Sequence, residues 1–216
     1  MAVRKILKTL ETKQLLHDVR YHQDIWTLNT QSKARHMAAH IGKYSGQLLD
    51  SIRGTDSDSD IIQKYIIDSL IINFSYANIF LGLLSNKLDE NYLNQKDFKE
   101  LINTVGFSYL TSKGYSLNNG SALDLAMDMC ILAGKILKTV ESLDHVEKHD
   151  FRQNFESYSI DLFEILLALC YVYNIYEVVQ LIENRLFSVE QKNPYFKLYG
   201  NYKNGYQSEV SNVLEW

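Results

Sequence analysis

The chain has few of the residues that punctuate a β-rich fold. Its 216 residues include one proline, Pro194, and only ten glycines. A fold of many short strands needs frequent turns, and these two residue types supply many of them. Leu, Ile, Lys, Glu and Gln recur instead at helical spacing along most of the chain, as is typical of helices. The sequence therefore predicts an all-α fold.

Basic clusters, cysteines and long apolar runs are also scarce. The net charge is −4 and no block of Lys and Arg stands out, which disfavours a nucleic-acid partner. Cys130 and Cys170 lie within apolar segments, so we expect two buried thiols and a cytoplasmic location. Polar residues such as Asp68 and Asn73 interrupt the most apolar segment, 61–84. That segment predicts a core helix and no membrane span.

Apolar periodicity and capping residues divide the chain into helices. We expect them near residues 3–23, 30–53, 60–85, 96–104, 122–143, 148–173 and 176–191, from the positions of apolar faces and caps. Residues 1–216 are interpreted as a single all-α domain of two similar halves, about 1–113 and 121–194. An aromatic tail, 195–216, is expected to pack over the bundle, because so many aromatic side chains rarely stay solvated.

A Gly-Lys pair precedes a Tyr-x-x-Asp tetrapeptide twice in the chain. The second Gly-Lys lies 92 residues after the first, and the second Tyr-x-x-Asp lies 93 residues after the first. A repeat at this spacing predicts two similar helical hairpins in tandem. The copies are Gly42-Lys43 with Tyr65–Asp68, and Gly134-Lys135 with Tyr158–Asp161.

The segments around this repeat resemble the MazG-like all-α nucleotide pyrophosphohydrolases. The resemblance rests on residues 36–49 with 65–84, on 129–135 with 158–175, and on the closing stretch 181–195. It implies a tandem MazG-like bundle, in which Glu-x-x-Glu on one helix and Glu-x-x-Asp on the next hold Mg²⁺ or Mn²⁺ for attack on a nucleoside triphosphate. Members of the family usually complete a four-helix unit by dimerisation. Because this chain carries both hairpins, a monomer and a homodimer are both open.

The chain departs from the family's motif at the metal positions. His40-x-x-Lys43 and Leu132-x-x-Lys135 stand in place of Glu-x-x-Glu. Tyr65 and Tyr158 stand in place of the first Glu of Glu-x-x-Asp, so that each half keeps a single acid. Mg²⁺ needs several oxygen ligands. We therefore expect Lys43 to pair with Asp68, and Lys135 with Asp161, without a metal.

A shifted set of carboxylates in the second half is the alternative metal site. Its members are Asp124, Asp128, Asp161 and Glu164. The first two lie at i and i+4 on one predicted helix and the last two at i and i+3 on the next, so each pair shares a face. Asp128 and Glu164 are then the catalytic candidates. In the competing interpretation Asp124 is an acid of the first helical turn and Glu164 faces solvent.

Two further groups of residues have both a functional and a structural interpretation. His36 and His40, at i and i+4, have the spacing of two zinc ligands, with a third ligand from His17, His22 or Asp68, or they donate hydrogen bonds at a helix interface. The Tyr residues of the repeat either stack on a nucleotide whose phosphate Lys43 and Lys135 neutralise, or are core aromatics whose hydroxyls find a partner.

The sequence therefore leaves three functions open. The first is a catalytically degenerate MazG-like protein that binds a nucleotide or a protein partner. The second is an active Mg²⁺- or Mn²⁺-dependent nucleoside triphosphate pyrophosphohydrolase that uses the shifted carboxylates. The third is a structural subunit of an assembly.

Overall fold

The computed structural model describes residues 2–54, 58–145 and 151–192, and within them it is helical without strands. The all-α prediction is confirmed. The helices are α1 (Val3–Tyr21), α2 (Gln23–Trp26), α3 (Thr30–Arg53), α4 (Ser59–Phe80), α5 (Leu84–Lys87), α6 (Glu90–Leu93), α7 (Phe98–Lys113), α8 (Ala122–Asp144), α9 (Phe151–Val172) and α10 (Val178–Lys192).

Four long helices form the centre of the molecule. Helix α3 packs against α4 and α8, and α9 packs against α4 and α8, while α1 covers α4 and α7 covers α9. Phe74 of α4 and Phe163 of α9 are both buried, with ring centroids 6.3 Å apart. Beside them, buried Asn73 donates to the backbone oxygen of Ser159 at 2.9 Å and accepts from its hydroxyl at 3.1 Å. Apolar packing and one satisfied polar pair therefore join α4 to α9.

The helix boundaries recur at the spacing of the sequence repeat. Helices α3 and α8 begin at residues 30 and 122. Helices α4 and α9 end at 80 and 172, and α1 and α7 end at 21 and 113. Each difference is 92 residues. The equivalent helices also make equivalent contacts, since α1 lies on α4 as α7 lies on α9. A MazG-like origin of the two halves stays a prediction.

Two helices end more than three residues away from their predicted ends. Helix α4 stops at Phe80 instead of residue 85, because Leu81 adopts a left-handed conformation with φ 58° and its N–H bonds back to Ala77 and Asn78. Helix α7 covers 98–113, longer than the predicted 96–104, and ends at Gly114, whose φ of 68° suits glycine, which has no Cβ to oppose that conformation.

The two cysteines differ in burial. Cys170 is buried as expected, and burial raises the pKa of its thiol. The prediction for Cys130 was wrong, because this residue is only half-buried. The aromatic tail 195–216 lies outside the described residues. Among the helices that the structure describes, none is both long and apolar enough to cross a membrane.

Candidate functional site

A cavity of about 170 Å³ lies between α1, α3, α4 and α10. Four of the six histidines of the chain line it, and we call it the histidine pocket. Apolar and aromatic side chains form much of its wall. The four histidines are His17, His22, His36 and His40. The sequence placed His36 and His40 on one helical face, and the structure adds the other two.

Helix α1 contributes to the pocket because its buried face becomes polar toward its C-terminal end. Leu7 and Leu10 are buried, and the same face continues with Gln14 and His17, at the three- and four-residue spacing of one helical stripe. The apolar Leu16 of the same helix is 46% exposed. Polar residues therefore continue the buried apolar face of α1 toward its C-terminal end.

His17 is buried without satisfying its polar atoms. Its side chain is 6% exposed, and neither ring nitrogen has a hydrogen-bond partner. Glu190 of α10 places Oε1 3.5 Å from Nε2, beyond ordinary hydrogen-bond length. Burial lowers the pKa of His17 to about 4, with a smaller contribution from His22. The imidazole is therefore neutral near pH 7, which is the form that binds metal ions.

The other pocket histidines are shifted in the same direction. Burial lowers the pKa of His40 to about 4, helped by the neighbouring His36 and Lys43. Burial also lowers the pKa of His22 and of His36. The rings of His36 and His40 are 4.5 Å apart, edge to face, and Nδ1 of His40 has no hydrogen-bond partner. We expected these histidines to donate hydrogen bonds at the helix interface, but Nδ1 of His40 makes none.

Asp18 is a positioned carboxyl group beside His17. Its Oδ1 accepts from Gln14 Nε2 at 2.8 Å, and its Oδ2 accepts from Ser75 Oγ at 2.7 Å. Burial raises the pKa of Asp18 to about 6. Donor atoms of His17, Asp18 and His22 all lie within 4.8 Å of one another, which no other trio of His, Cys, Asp or Glu achieves in the described part of the chain.

Asp68 also lines the pocket, but its partner is not the predicted one. Arg185 of α10 donates from Nε to Oδ1 at 2.6 Å and from Nη2 to Oδ2 at 3.0 Å. Lys43 is exposed and lies over the ring of Tyr44, 4.0 Å from its centroid. The expected pair of Lys43 with Asp68 is therefore replaced by a bidentate pair from a distant helix.

The remaining residues of the repeat are not among those that line the histidine pocket. Tyr65 is half-buried. The Tyr158 hydroxyl lies 3.3 Å from that of Thr139 on α8, in agreement with its structural interpretation. Lys135 influences Asp161 only as a nearby charge, without an ion pair, and Asp161 is exposed.

The shifted carboxylates do not converge on one point. Oδ2 of Asp128 accepts from the hydroxyls of Tyr109 at 2.9 Å and Tyr115 at 3.2 Å, and Lys113 Nζ lies 3.7 Å away. Burial and the charge of Asp161 raise the pKa of Glu164.

Among these described acids, no three place oxygens within 4.8 Å of one another. The four members of the set are Asp124, Asp128, Asp161 and Glu164. The motif of the family that the chain resembles holds its ion with four carboxylates. The described residues form no such cluster, either at the shifted set or at Asp68, so they do not fit the ion that the resemblance implies.

Sequence reasoning missed two site residues, Asp18 and Arg185. The adjacency of His17 and Asp18 is visible in the sequence, but only the buried face of α1 makes it significant. Arg185 lies 117 residues from Asp68, so no local pattern connects them.

Comparisons with protein-family models, with curated proteins and with solved structures gave no match.

Proposed function

We propose that the protein binds a small ligand of the nucleotide class in the histidine pocket, on a MazG-like helical framework that lacks Mg²⁺ chemistry. The observation that carries this proposal is the pair of Asp68 with Arg185, which borders the pocket. The guanidinium engages both oxygens of the acid that the family's motif assigns to the metal. A positive charge has taken the place of the ion, and a cavity remains beside it.

The lining of the pocket suits a planar ligand with polar edges. Trp26 and Tyr44 line the pocket, and stacking on an aromatic ring is worth about 1–3 kcal/mol per base in nucleic-acid sites. Neutral imidazoles such as those of His36 and His40 both donate and accept hydrogen bonds. Lys33 lies 4.5 Å from the centroid of the Trp26 ring, so a positive charge adjoins the stacking face.

The size of the cavity narrows the ligand class. Its volume of about 170 Å³ is below the roughly 300–1,000 Å³ of pockets that hold drug-sized molecules. We therefore favour a nucleoside or a nucleoside monophosphate, with the base inside and the phosphate toward Lys33. The cytoplasmic setting in which such ligands are abundant is part of the proposal.

Thermal unfolding in EDTA with nucleosides and nucleoside mono-, di- and triphosphates tests the proposal. A ligand at about 100 times its Kd adds about 2.7 kcal/mol of stability, which raises the Tm of a chain of this size by about 5–10 °C. Trp26→Ala should remove the shift. Phe107→Ala, on α7 and 50% exposed in the wild type, is the matched control and should keep it. A shift that survives in Trp26→Ala, or no shift with any compound, overturns the proposal.

The hydrolase alternative is tested in the same preparation. Nucleoside triphosphates are incubated with Mg²⁺ or Mn²⁺, and pyrophosphate is measured. Release that disappears in Asp128→Asn would replace the binding proposal by an active pyrophosphohydrolase. We expect no release, because Asp128 is held by two tyrosine hydroxyls instead of facing other carboxylates.

A second candidate function, a subunit of a homodimer, is favoured by an apolar stripe on α8. Leu123, Met127 and Ile131 lie at i, i+4 and i+8 and are 39%, 42% and 59% exposed. Contiguous exposed apolar residues often mark protein interfaces. Light scattering measures the mass in solution. If the stripe is the interface, Ile131→Lys converts a dimer to a monomer, and a wild-type monomer at all concentrations refutes this candidate.

A further inference from the structure

We propose that His17, Asp18 and His22 bind one divalent transition-metal ion of the zinc class, with an open coordination position toward the cavity. The trio occupies the C-terminal end of α1 and the residue that follows it. All three side chains line the histidine pocket, so an ion held by them would face the cavity. The three metal ligands are not among the residues on which the nucleotide proposal depends.

The spacing of the donor atoms fits a single ion. Donor atoms of the three residues lie within 4.8 Å of one another. Zinc binds imidazole nitrogen at about 2.0–2.1 Å and carboxylate oxygen at about 2.0–2.2 Å, so ligands of a tetrahedral site stand roughly 3.4 Å apart. Because 4.8 Å is the upper limit of the donor separations, the donor atoms need to approach one another by at most about 1.4 Å to bind one ion.

The orphaned nitrogens of His17 point to a ligand independently of the spacing. The side chain is 6% exposed, and both ring nitrogens lack a hydrogen-bond partner. Leaving a buried polar group unsatisfied costs about 1–3 kcal/mol, and most buried groups avoid that cost. Coordination of an ion by one ring nitrogen of His17 would satisfy that nitrogen.

Asp18 already has the support that metal-binding carboxylates commonly have. Gln14 and Ser75 each donate to one of its oxygens, which fixes the carboxyl group beside His17. Such outer contacts orient a ligand, and their loss typically weakens metal binding about 10–100-fold. Each oxygen keeps a second lone pair for an ion.

The chemistry of the donors selects the class of metal. Two imidazoles and one carboxylate suit zinc, cobalt, nickel or iron(II), whereas Mg²⁺ and Ca²⁺ prefer all-oxygen sites. Three protein ligands leave the fourth position of a zinc site to water or to a ligand. Glu190 approaches His17 but lies outside the converging trio. The open position therefore belongs to the cavity.

Metal titration of the full chain, without a histidine tag and after stripping with EDTA, tests the proposal. Calorimetry with ZnCl₂ should show about one equivalent bound. Co²⁺ should give a visible absorption band that zinc abolishes. His22→Gln and Asp18→Asn should each weaken zinc binding at least about tenfold, with the helical circular dichroism unchanged. Mg²⁺ should not compete.

The matched control is His145→Gln, which changes an exposed histidine outside the pocket. It should bind zinc as the wild type does. The proposal is overturned if the wild type shows no saturable binding, if His22→Gln binds normally, or if His145→Gln loses as much affinity. The nucleotide experiment contains EDTA, so failure of one proposal does not imply failure of the other.

Discussion

Asp68 of α4 and Arg185 of α10 are joined by two parallel hydrogen bonds, 2.6 and 3.0 Å long. The Asp68 side chain is 7% exposed and that of Arg185 is 25% exposed. A bidentate pair with one buried partner fixes both distance and orientation. This contact tethers α10 to the central helices at the edge of the histidine pocket.

Removal of the guanidinium should destabilise the protein markedly. Arg185→Gln leaves Asp68 buried without its cation, so we expect the free energy of unfolding in urea to fall by about 3 kcal/mol. Lys43→Ala removes the partner that the sequence suggested, and should change it by less than about 0.5 kcal/mol. The reverse order of the two effects would mean that Lys43 and not Arg185 neutralises Asp68 in solution.

Glycine substitutions should separate a close helix contact from open positions. A Cβ on Gly106 of α7 would lie 2.4 Å from Cβ of Tyr171 on α9. We expect Gly106→Ala to cost about 1–3 kcal/mol through overpacking. A Cβ on Gly134 of α8 meets nothing within 4 Å, so Gly134→Ala should stabilise that helix by about 0.5–1 kcal/mol. Chemical denaturation of both variants measures the difference, and equal effects would refute the close approach of α7 to α9.

The glycines also show how far the repeat could be interpreted from sequence. Helical periodicity and caps are local properties, so the sequence correctly indicated an all-α fold, whereas two tandem hairpins stay a prediction. Gly42 and Gly134 drew attention to the repeat, yet a Cβ at either position meets no neighbour within 4 Å. Gly106, which does permit a close approach, carries no signal in the sequence because its neighbour Tyr171 is distant in the chain.

The site was predictable only where its residues share one helix. His36 and His40 could be placed on a single face because four residues make about one helical turn. The addition of His17 and His22 depends on which face of α1 is buried near its C-terminal end, where the buried side chains include the polar Gln14 and His17. Sequence reasoning that assigns faces by apolar residues could not find it.

Acidification should destabilise the wild type more than a variant without His40. The folded pKa of His40 is about 4, and an unfolded histidine has a pKa near 6.5. Between these values the unfolded state binds more protons, so His40 lowers stability as the pH falls through this window. Titratable groups around it are His36, Lys43 and His22, which disfavour its protonated form as well.

We expect His40→Gln to reduce the loss of stability between about pH 7 and pH 4.5 by about 1 kcal/mol. The expected free-energy change is smaller than the full pKa difference would give, because water screens this half-buried site. A change of about 1 kcal/mol corresponds to about 2–4 °C in Tm. The control, His145→Gln, changes an exposed histidine and should leave the pH dependence of the wild type unaltered. A steeper acid loss in His40→Gln than in the wild type would contradict the lowered pKa.

Removal of Asp128 should lower the free energy of unfolding more than removal of Asp161, because of the two acids only Asp128 accepts hydrogen bonds from other side chains in the described structure. Asp128 accepts hydrogen bonds from Tyr109 on α7 and from Tyr115 beyond its end, whereas Asp161 is exposed. Hydrogen bonds to a charged acceptor contribute about 1.5–3 kcal/mol, so Asp128→Ala should lower the free energy of unfolding by about 2 kcal/mol. Asp161→Ala should change it by less than about 0.5 kcal/mol.

Urea denaturation and pyrophosphate release are measured on both variants. If the two acids act together on a metal, both variants lose turnover while stability is similar. If Asp128 serves the packing of α7 on α8, stability alone separates the two variants, and neither they nor the wild type releases pyrophosphate.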